Sequence, residues 1–170
     1  MANYIAVCVS NAFRVTDEAA YEHLAARLCP DAYRVDKDGF HLIGCYDTLD
    51  YKPYPSQLNN TKSYIESGKT IFDEDHNAIP VDKIDEYDKL CDDKGNVLYN
   101  EETTDYDFYT FLRELQKLLP DGEHFEFYEC GHEKLRSVDG YAVFMTNKVL
   151  ETTTLEEWMN KMKNQHCPED

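Results

Sequence analysis

Phe108, Phe111, Leu112, Leu115, Leu118 and Leu119 recur at i, i+3, i+4 and i+7, and the residues between them are mostly polar. That stripe predicts an amphipathic helix. Thr104 or Asp105 is placed to cap it, Asp105 and Asp107 sit where the helix dipole favours negative charge, and Pro120-Asp121-Gly122 stops it. The pattern then changes period. His124–Cys130 alternates like a strand, and Gly140–Thr146 supplies a partner for it. Near the N-terminus, Asn3–Val9 is a short apolar run with the look of a buried strand, followed by a helix capped by Thr16 and running to about Leu28, with Asp17 and Glu18 in its first turn and Tyr21, Leu24, Ala25 and Leu28 as its stripe. Ala32–Asp36 and Phe40–Tyr46 read as a hairpin, because Asp38-Gly39 supplies the positive φ of a tight turn. At the C-terminal end, Thr154-Leu155-Glu156-Glu157 has capping-box spacing, and Leu155, Trp158, Met159 and Met162 form a last stripe that predicts a docked helix.

Between these two halves the pattern breaks down. From about 47 to 103, apolar residues are sparse and Pro53, Pro55, Asn59, Asn60 and Gly68 interrupt the chain. Lys69–Asp73 and Asn96–Tyr99 suggest short strands, and Ile84, Tyr87 and Cys91 a helical turn. The stretch reads as a partly ordered insertion on a single α+β domain spanning 1–170. The expected architecture is a mostly antiparallel sheet with helices packed on one face, ferredoxin-like apart from the insertion. Phe108, Phe111, Leu115, Leu118, Phe125, Phe127, Val143 and Trp158 are the expected core.

Charge changes this picture more than composition does. The 170 residues carry 17 basic against 34 acidic side chains, a net −17. Charge of that size opposes compaction and argues against direct binding to nucleic acid or an anionic membrane. No apolar run is long enough to span a membrane. The six cysteines form no C-x-x-C pair and the N-terminus has no signal-peptide pattern, so the thiols read as reduced and the protein as cytoplasmic.

The charge is concentrated. Between Asp73 and Asp107 stand thirteen acids and three lysines, −10 in thirty-five residues. Coulomb repulsion disfavours such a gathering unless a cationic partner repays it, and a carboxylate-lined surface can imitate the regular charge of DNA. Asp82, Asp85, Glu86, Asp88, Asp92 and Asp93, with Glu101 and Glu102 flanking, are the candidate partner-binding residues. Other chemistry is weaker. Asp73-Glu74-Asp75-His76-Asn77 opens like a calcium loop, but Ala78 and Ile84 stand where that loop needs Gly and Glu. Cys130-Gly131-His132-Glu133 groups a thiol, an imidazole and a carboxylate at poor metal spacing. The chain holds no phosphate loop, dinucleotide motif or hydrolase elbow. No catalytic residue, metal or cofactor is expected, and the chain reads as a non-enzyme.

Asn11-Ala12-Phe13-Arg14-Val15-Thr16-Asp17-Glu18 and Gly131-His132-Glu133-Lys134-Leu135-Arg136-Ser137-Val138-Asp139-Gly140-Tyr141-Ala142-Val143 resemble segments of small acidic, uncharacterised proteins of bacterial phages and conjugative elements. By charge and size the chain is similar to antirestriction and anti-CRISPR inhibitors, some of which imitate DNA. The resemblance implies a partner that is a basic nucleic-acid-binding protein of the bacterial host, a CRISPR effector or a restriction enzyme, and carries over no catalytic residue. The competing expectation is a non-catalytic interaction or accessory domain of a mobile element that binds through aromatic surface, with Tyr51, Tyr54 and Tyr64 as anchors.

Overall fold

A computed structural model describes residues 4–133 and 137–166. In chain order the elements are β1 (Tyr4–Ser10), α1 (Glu18–Ala25), β2 (Ala32–Lys37), β3 (Phe40–Cys45), α2 (Asn59–Glu66), β4 (Ile71–Phe72), β5 (Ala78–Ile79), β6 (Lys89–Cys91), β7 (Val97–Asn100), α3 (Phe108–Leu118), β8 (Phe125–Glu133), β9 (Ser137–Met145), β10 (Leu150–Thr154) and α4 (Leu155–His166). Short 3-10 turns occupy Pro55–Gln57, Val81–Glu86 and Glu101–Thr103. The fold is α+β. It divides into two compact units, one made of 1–49 and 112–170 and the other of 50–111, with the division falling inside α3.

The first unit is built on a six-stranded sheet of order β10-β9-β8-β1-β3-β2, antiparallel throughout. Its β1-α1-β2-β3-α3-β8 portion follows the ferredoxin-like order, with β8 beside β1 and β3 between β1 and β2. Strands β9 and β10 extend it. The hairpin turn and the C-terminal capping box are where the sequence placed them, while the caps of α1 and α3 fall at Asp17 and Asp107 rather than at Thr16 and at Thr104 or Asp105. Asp17 caps α1 by accepting from the Ala20 amide at 3.0 Å. Asp107 caps α3, accepting from the Tyr109 amide at 3.0 Å. Asp38 and Gly39 turn the β2–β3 hairpin with φ of 56° and 74°. Thr154 and Glu157 close the capping box reciprocally at 2.8 and 3.1 Å.

One sheet face carries the core. Ala6 and Cys8 of β1, Ile43 and Cys45 of β3, Phe125 and Phe127 of β8, and Val143 and Met145 of β9 are buried on it, as are Tyr21 and Leu24 of α1 and Leu112 and Leu115 of α3. Phe13 sits among the edges of Tyr21 and Phe125, at centroid distances of 5.8 and 5.1 Å. Among the described residues the opposite face holds no helix-covered core, so β1 is buried on one side only and not the fully buried strand expected from its apolar run. Val7 and Val9 point outward and are exposed. Of the expected core, Phe111, Leu115, Phe125, Phe127 and Val143 are buried, and Phe108 and Leu118 are half-buried. Trp158 is a correction, being 48% exposed. Helix α4 starts directly at the end of edge strand β10, so its stripe leaves the core face behind. The helix lies against β9 and β10, yet Leu155, Trp158 and Met159 of its stripe stay 41–48% exposed.

The second unit is ordered. A four-stranded antiparallel sheet of order β5-β4-β6-β7 packs Ile71, Ile79, Leu90 and Tyr99 with Ile84 into a small core, against which Leu58, Tyr64, Ile65 and Tyr87 rest. Helix α2, absent from the sequence reading, buries Thr61 and donates from Asn60 Nδ2 to the Leu98 carbonyl at 2.6 Å. Its residues are too polar to show a stripe.

Two predictions follow from the sheet. A Cβ on Gly44 would lie 2.5 Å from the Tyr33 ring and 2.7 Å from the Cys8 carbonyl. Gly44→Ala should therefore cost ~1–3 kcal/mol of unfolding free energy in urea titration. Adding Tyr33→Ala should return only part of it, because the backbone carbonyl remains. The Cys8 thiol is pushed from its ordinary 9.0 up to about 12, chiefly by burial and then by neighbouring Cys45. A raised native pKa leaves stability intact below pH 9 and erodes it as pH climbs from about 9 toward about 12, because the unfolded chain ionises first. Cys8→Ala should flatten that part of the stability–pH curve relative to the parent, and iodoacetamide should leave Cys8 unmodified in the native protein at pH 8.

Candidate functional site

The second unit carries fifteen acidic and six basic residues, −9 of the −17 total. Its acids divide into those that build the unit and those that only face outward. The builders are easiest to see in two hairpin loops of the same design. In Asp73–Asn77 the Asp73 amide donates to the Asn77 carbonyl at 3.0 Å, His76 takes a φ of 66°, and the Asp73 carboxylate accepts from the Asn77 amide at 2.8 Å. In Asp92–Asn96 the Asp92 amide donates to the Asn96 carbonyl at 2.9 Å, Gly95 takes a φ of 80°, and the Asp92 carboxylate accepts from the Lys94 and Asn96 amides at 2.8 Å. These bonds hold both carboxyls below the usual range. For Asp73 the Asn77 amide is the first cause, and for Asp92 the Asn96 side chain. The Asp…Asn spacing of four residues, with Gly or His just before the Asn, is the sequence signal that these acids are turn formers. It also accounts for the segment that opens like a calcium loop.

Asp85 is a builder as well. Its carboxylate accepts from the Ser56 amide at 2.9 Å and the Ser56 hydroxyl at 2.7 Å, tying the turn at Pro55–Gln57 to that at Val81–Glu86. Asp93 accepts from the Tyr64 hydroxyl at 3.1 Å. Of the eight acids singled out in the sequence, Asp85, Asp92 and Asp93 are thus engaged in the unit's own structure. The carboxylates of Asp82, Glu86, Asp88 and Glu102 are exposed and have no hydrogen-bond or ion-pair partner among the described residues. Glu101, half-buried, joins Asp88, Glu102 and Glu74 around a polar groove of about 590 Å³. Lys89 is the cation of that groove, 3.8 Å from Glu74.

The aromatic anchors fare differently. Tyr51 is fully buried, its ring tilted at 51° to that of Phe111 with centroids 5.5 Å apart, and donates to Gln57 Oε1 at 2.7 Å. Tyr54 and Tyr64 are half-buried, so none of the three is an open anchor. A tyrosine in a Pro- and Asn-rich stretch looks exposed when the stretch is taken for a loop. It is recruited to the core once the stretch folds. Tyr106, over which Lys52 Nζ sits at 5.5 Å, is exposed.

Two further clusters lie in the first unit. Cys130 is exposed on the outward face of β8, and the side chains of His132 and Glu133 lie outside the described residues. His41 is 4% exposed, with Nδ1 2.6 Å from Asp36 Oδ1 and Nε2 2.9 Å from Glu18 Oε2, its ring against Tyr21 at 4.3 Å. That ring pins α1 to the β2–β3 hairpin. Among the described residues no group of three or more His, Cys, Asp or Glu side chains is arranged to hold a metal ion, and no helix is long and apolar enough to cross a membrane. No protein-family model, curated protein or solved structure matches the chain significantly.

The division of the acids is testable. Asp85→Ala should cost about 1.5–3 kcal/mol by stranding the Ser56 donors. Asp92→Ala should lower the melting temperature and speed hydrogen exchange of the Asn96 amide. Neutralising Asp82, Glu86 and Asp88 together should leave the melt unchanged or raise it, since only mutual repulsion is removed.

Proposed function

We propose that the protein is a non-enzymatic inhibitor that binds a basic nucleic-acid-handling protein through the exposed carboxylates of its second unit. A CRISPR effector or a restriction enzyme is the target class. The observation that carries this reading is the set of unpartnered carboxylates at Asp82, Glu86, Asp88 and Glu102, of which Asp88 and Glu102 line the groove shared with Glu74 and Glu101. An acid that shapes a loop is explained by the loop. An acid that faces water unpaired, among others of its kind, raises the energy of the free protein until a cation arrives. Arginine forks that grip phosphates grip carboxylates equally well, so a phosphate-binding groove is a matched partner. Asp73, Asp85 and Asp92 do not belong to the binding set, because their oxygens are already committed.

Each exposed pair contributes only ~0–1 kcal/mol, so the effect is collective. Changing Asp82→Asn, Glu86→Gln, Asp88→Asn and Glu102→Gln together should abolish displacement of DNA from the target enzyme in a competition assay, while the melt is preserved. Capture of the target should weaken steeply between 0.1 and 1 M salt, where the screening length falls from ~10 to ~3 Å. A quadruple variant that displaces DNA as well as the parent refutes the reading.

A further inference from the structure

The outward face of the six-stranded sheet is apolar where a solvated antiparallel sheet would be polar. Val7, Val9, Val35, Phe40, Tyr128 and Phe144 all point outward on it and are between 37% and 52% exposed. The register extends this surface to α4. An apolar groove of about 230 Å³, lined by Cys130, Ala142, Leu155 and Trp158, joins the sheet to the exposed stripe of that helix. Six strands at ~4.8 Å spacing and about five residues of length give a footprint on the order of 400 Å². Trp158 and its neighbours enlarge it toward the ~800 Å² per partner of a standard interface. A contiguous apolar surface of this size on a chain of charge −17 marks a place that is covered in use.

The charges on this face identify what covers it. Among the described strand residues that point outward, only Lys37, Glu126 and Glu151 are charged, and Arg14 reaches over the Phe40 ring at 4.8 Å. Glu126 lies on interior strand β8 and accepts from the Tyr128 hydroxyl at 2.8 Å, while the other two strand charges are sorted by edge. Lys37 stands on edge strand β2, opposite Phe40, while Glu151 stands on edge strand β10, opposite Phe144. Tracing the register across the sheet places both toward the same end, about two residues or ~7 Å apart along the strand direction, which a lysine stem can span. We propose that this face is a homodimer interface, in which two copies pack sheet against sheet about a two-fold axis parallel to the strands. That axis lays the basic edge of each copy over the acidic edge of the other, so the Lys37–Glu151 pairing forms twice, as an isologous interface requires. Strand β8 of each copy then lies over β1 of the other, Tyr128 against Val9, and the aligned packing of two twisted sheets accommodates the contact. Screening damps the repulsion between exposed charges of the two copies that lie more than ~8 Å apart at physiological salt.

Sedimentation velocity on the full chain at physiological salt should show a dimer. Val9→Glu puts a carboxylate at the centre of the interface at an outward position, and should give a monomer with an unchanged circular dichroism spectrum. Lys37→Glu should raise the dimer dissociation constant by about tenfold or more, since it converts two attractions into two repulsions. The double variant Lys37→Glu with Glu151→Lys should restore the parent constant. A parent chain that stays monomeric up to about 100 μM overturns the proposal. So does a dimer indifferent to Val9→Glu, which would place association at a strand edge or on α4 alone. Failure of Glu151→Lys to rescue Lys37→Glu overturns the two-fold arrangement.

Discussion

The pairing of β1 with β8 is the contact on which the first unit rests. Seven residue pairs, from Tyr4↔Glu133 to Ser10↔Phe127, join segments more than a hundred residues apart. Everything between them, the α1-β2-β3 arm and the whole second unit included, is a loop closed by this ladder. Closing a long loop costs only logarithmically more than closing a short one, so a sixty-residue unit can be carried in the connection at small entropic expense. The register also decides the faces. It sets Cys8 beside Glu129 and Ser10 beside Phe127, and so aligns Phe125 and Phe127 with the buried side of β1. A slip of one residue would turn those rings outward and Tyr128 inward.

The second unit obeys a different economy. The cluster at the heart of its sheet is small, Ile71, Ile79, Ile84, Leu90 and Tyr99, and strands of two to four residues cannot by themselves hold a sheet. Polar bonds make up the difference: the two Asp…Asn loops, the Asp85–Ser56 tie and the Asn60–Leu98 bond. The acid-rich composition therefore has two sources. Part of it is turn chemistry that any small hairpin unit needs, and part is carboxylate turned to solvent with no internal role. Counting charges along the chain merges the two; hydrogen bonding separates them.

What the sequence disclosed, and what it hid, follows from the range of the forces involved. Helix α3, the Asp38-Gly39 hairpin, the Thr154–Glu157 capping box and the alternation of β8 were legible because each is fixed by neighbours within a few residues. Helix α2 was hidden because Asn59, Asn60, Thr61 and Ser63 carry no apolar stripe, and it is held by contacts such as that of Asn60 with Leu98, thirty-eight residues away. Tyr51 and Trp158 were misplaced for one shared reason. Hydrophobicity says that a side chain is better buried, and only the tertiary arrangement says whether a surface exists to bury it. Tyr51 found one at Phe111, and Trp158 did not.

The same asymmetry ties the proposed partner binding and the proposed dimer together. A strand such as Tyr4–Ser10, apolar at alternate outward positions as well as inward ones, normally lies between two layers. Here one layer is supplied by the chain itself and the other is missing, so the apolar residues at Val7 and Val9 are held in water at a cost. Unpaired carboxylates on the second unit are the electrostatic counterpart of that cost. Neither feature stabilises the isolated chain, and each is relieved by contact of its own kind: apolar surface by matching apolar surface, carboxylates by cations. A partner that met one need would leave the other open, so the two proposals call for different partners. Pairing of copies through the sheet would place two sets of carboxylates on one particle, and bivalent attachment raises the effective affinity of individually weak, salt-sensitive contacts without any new bond.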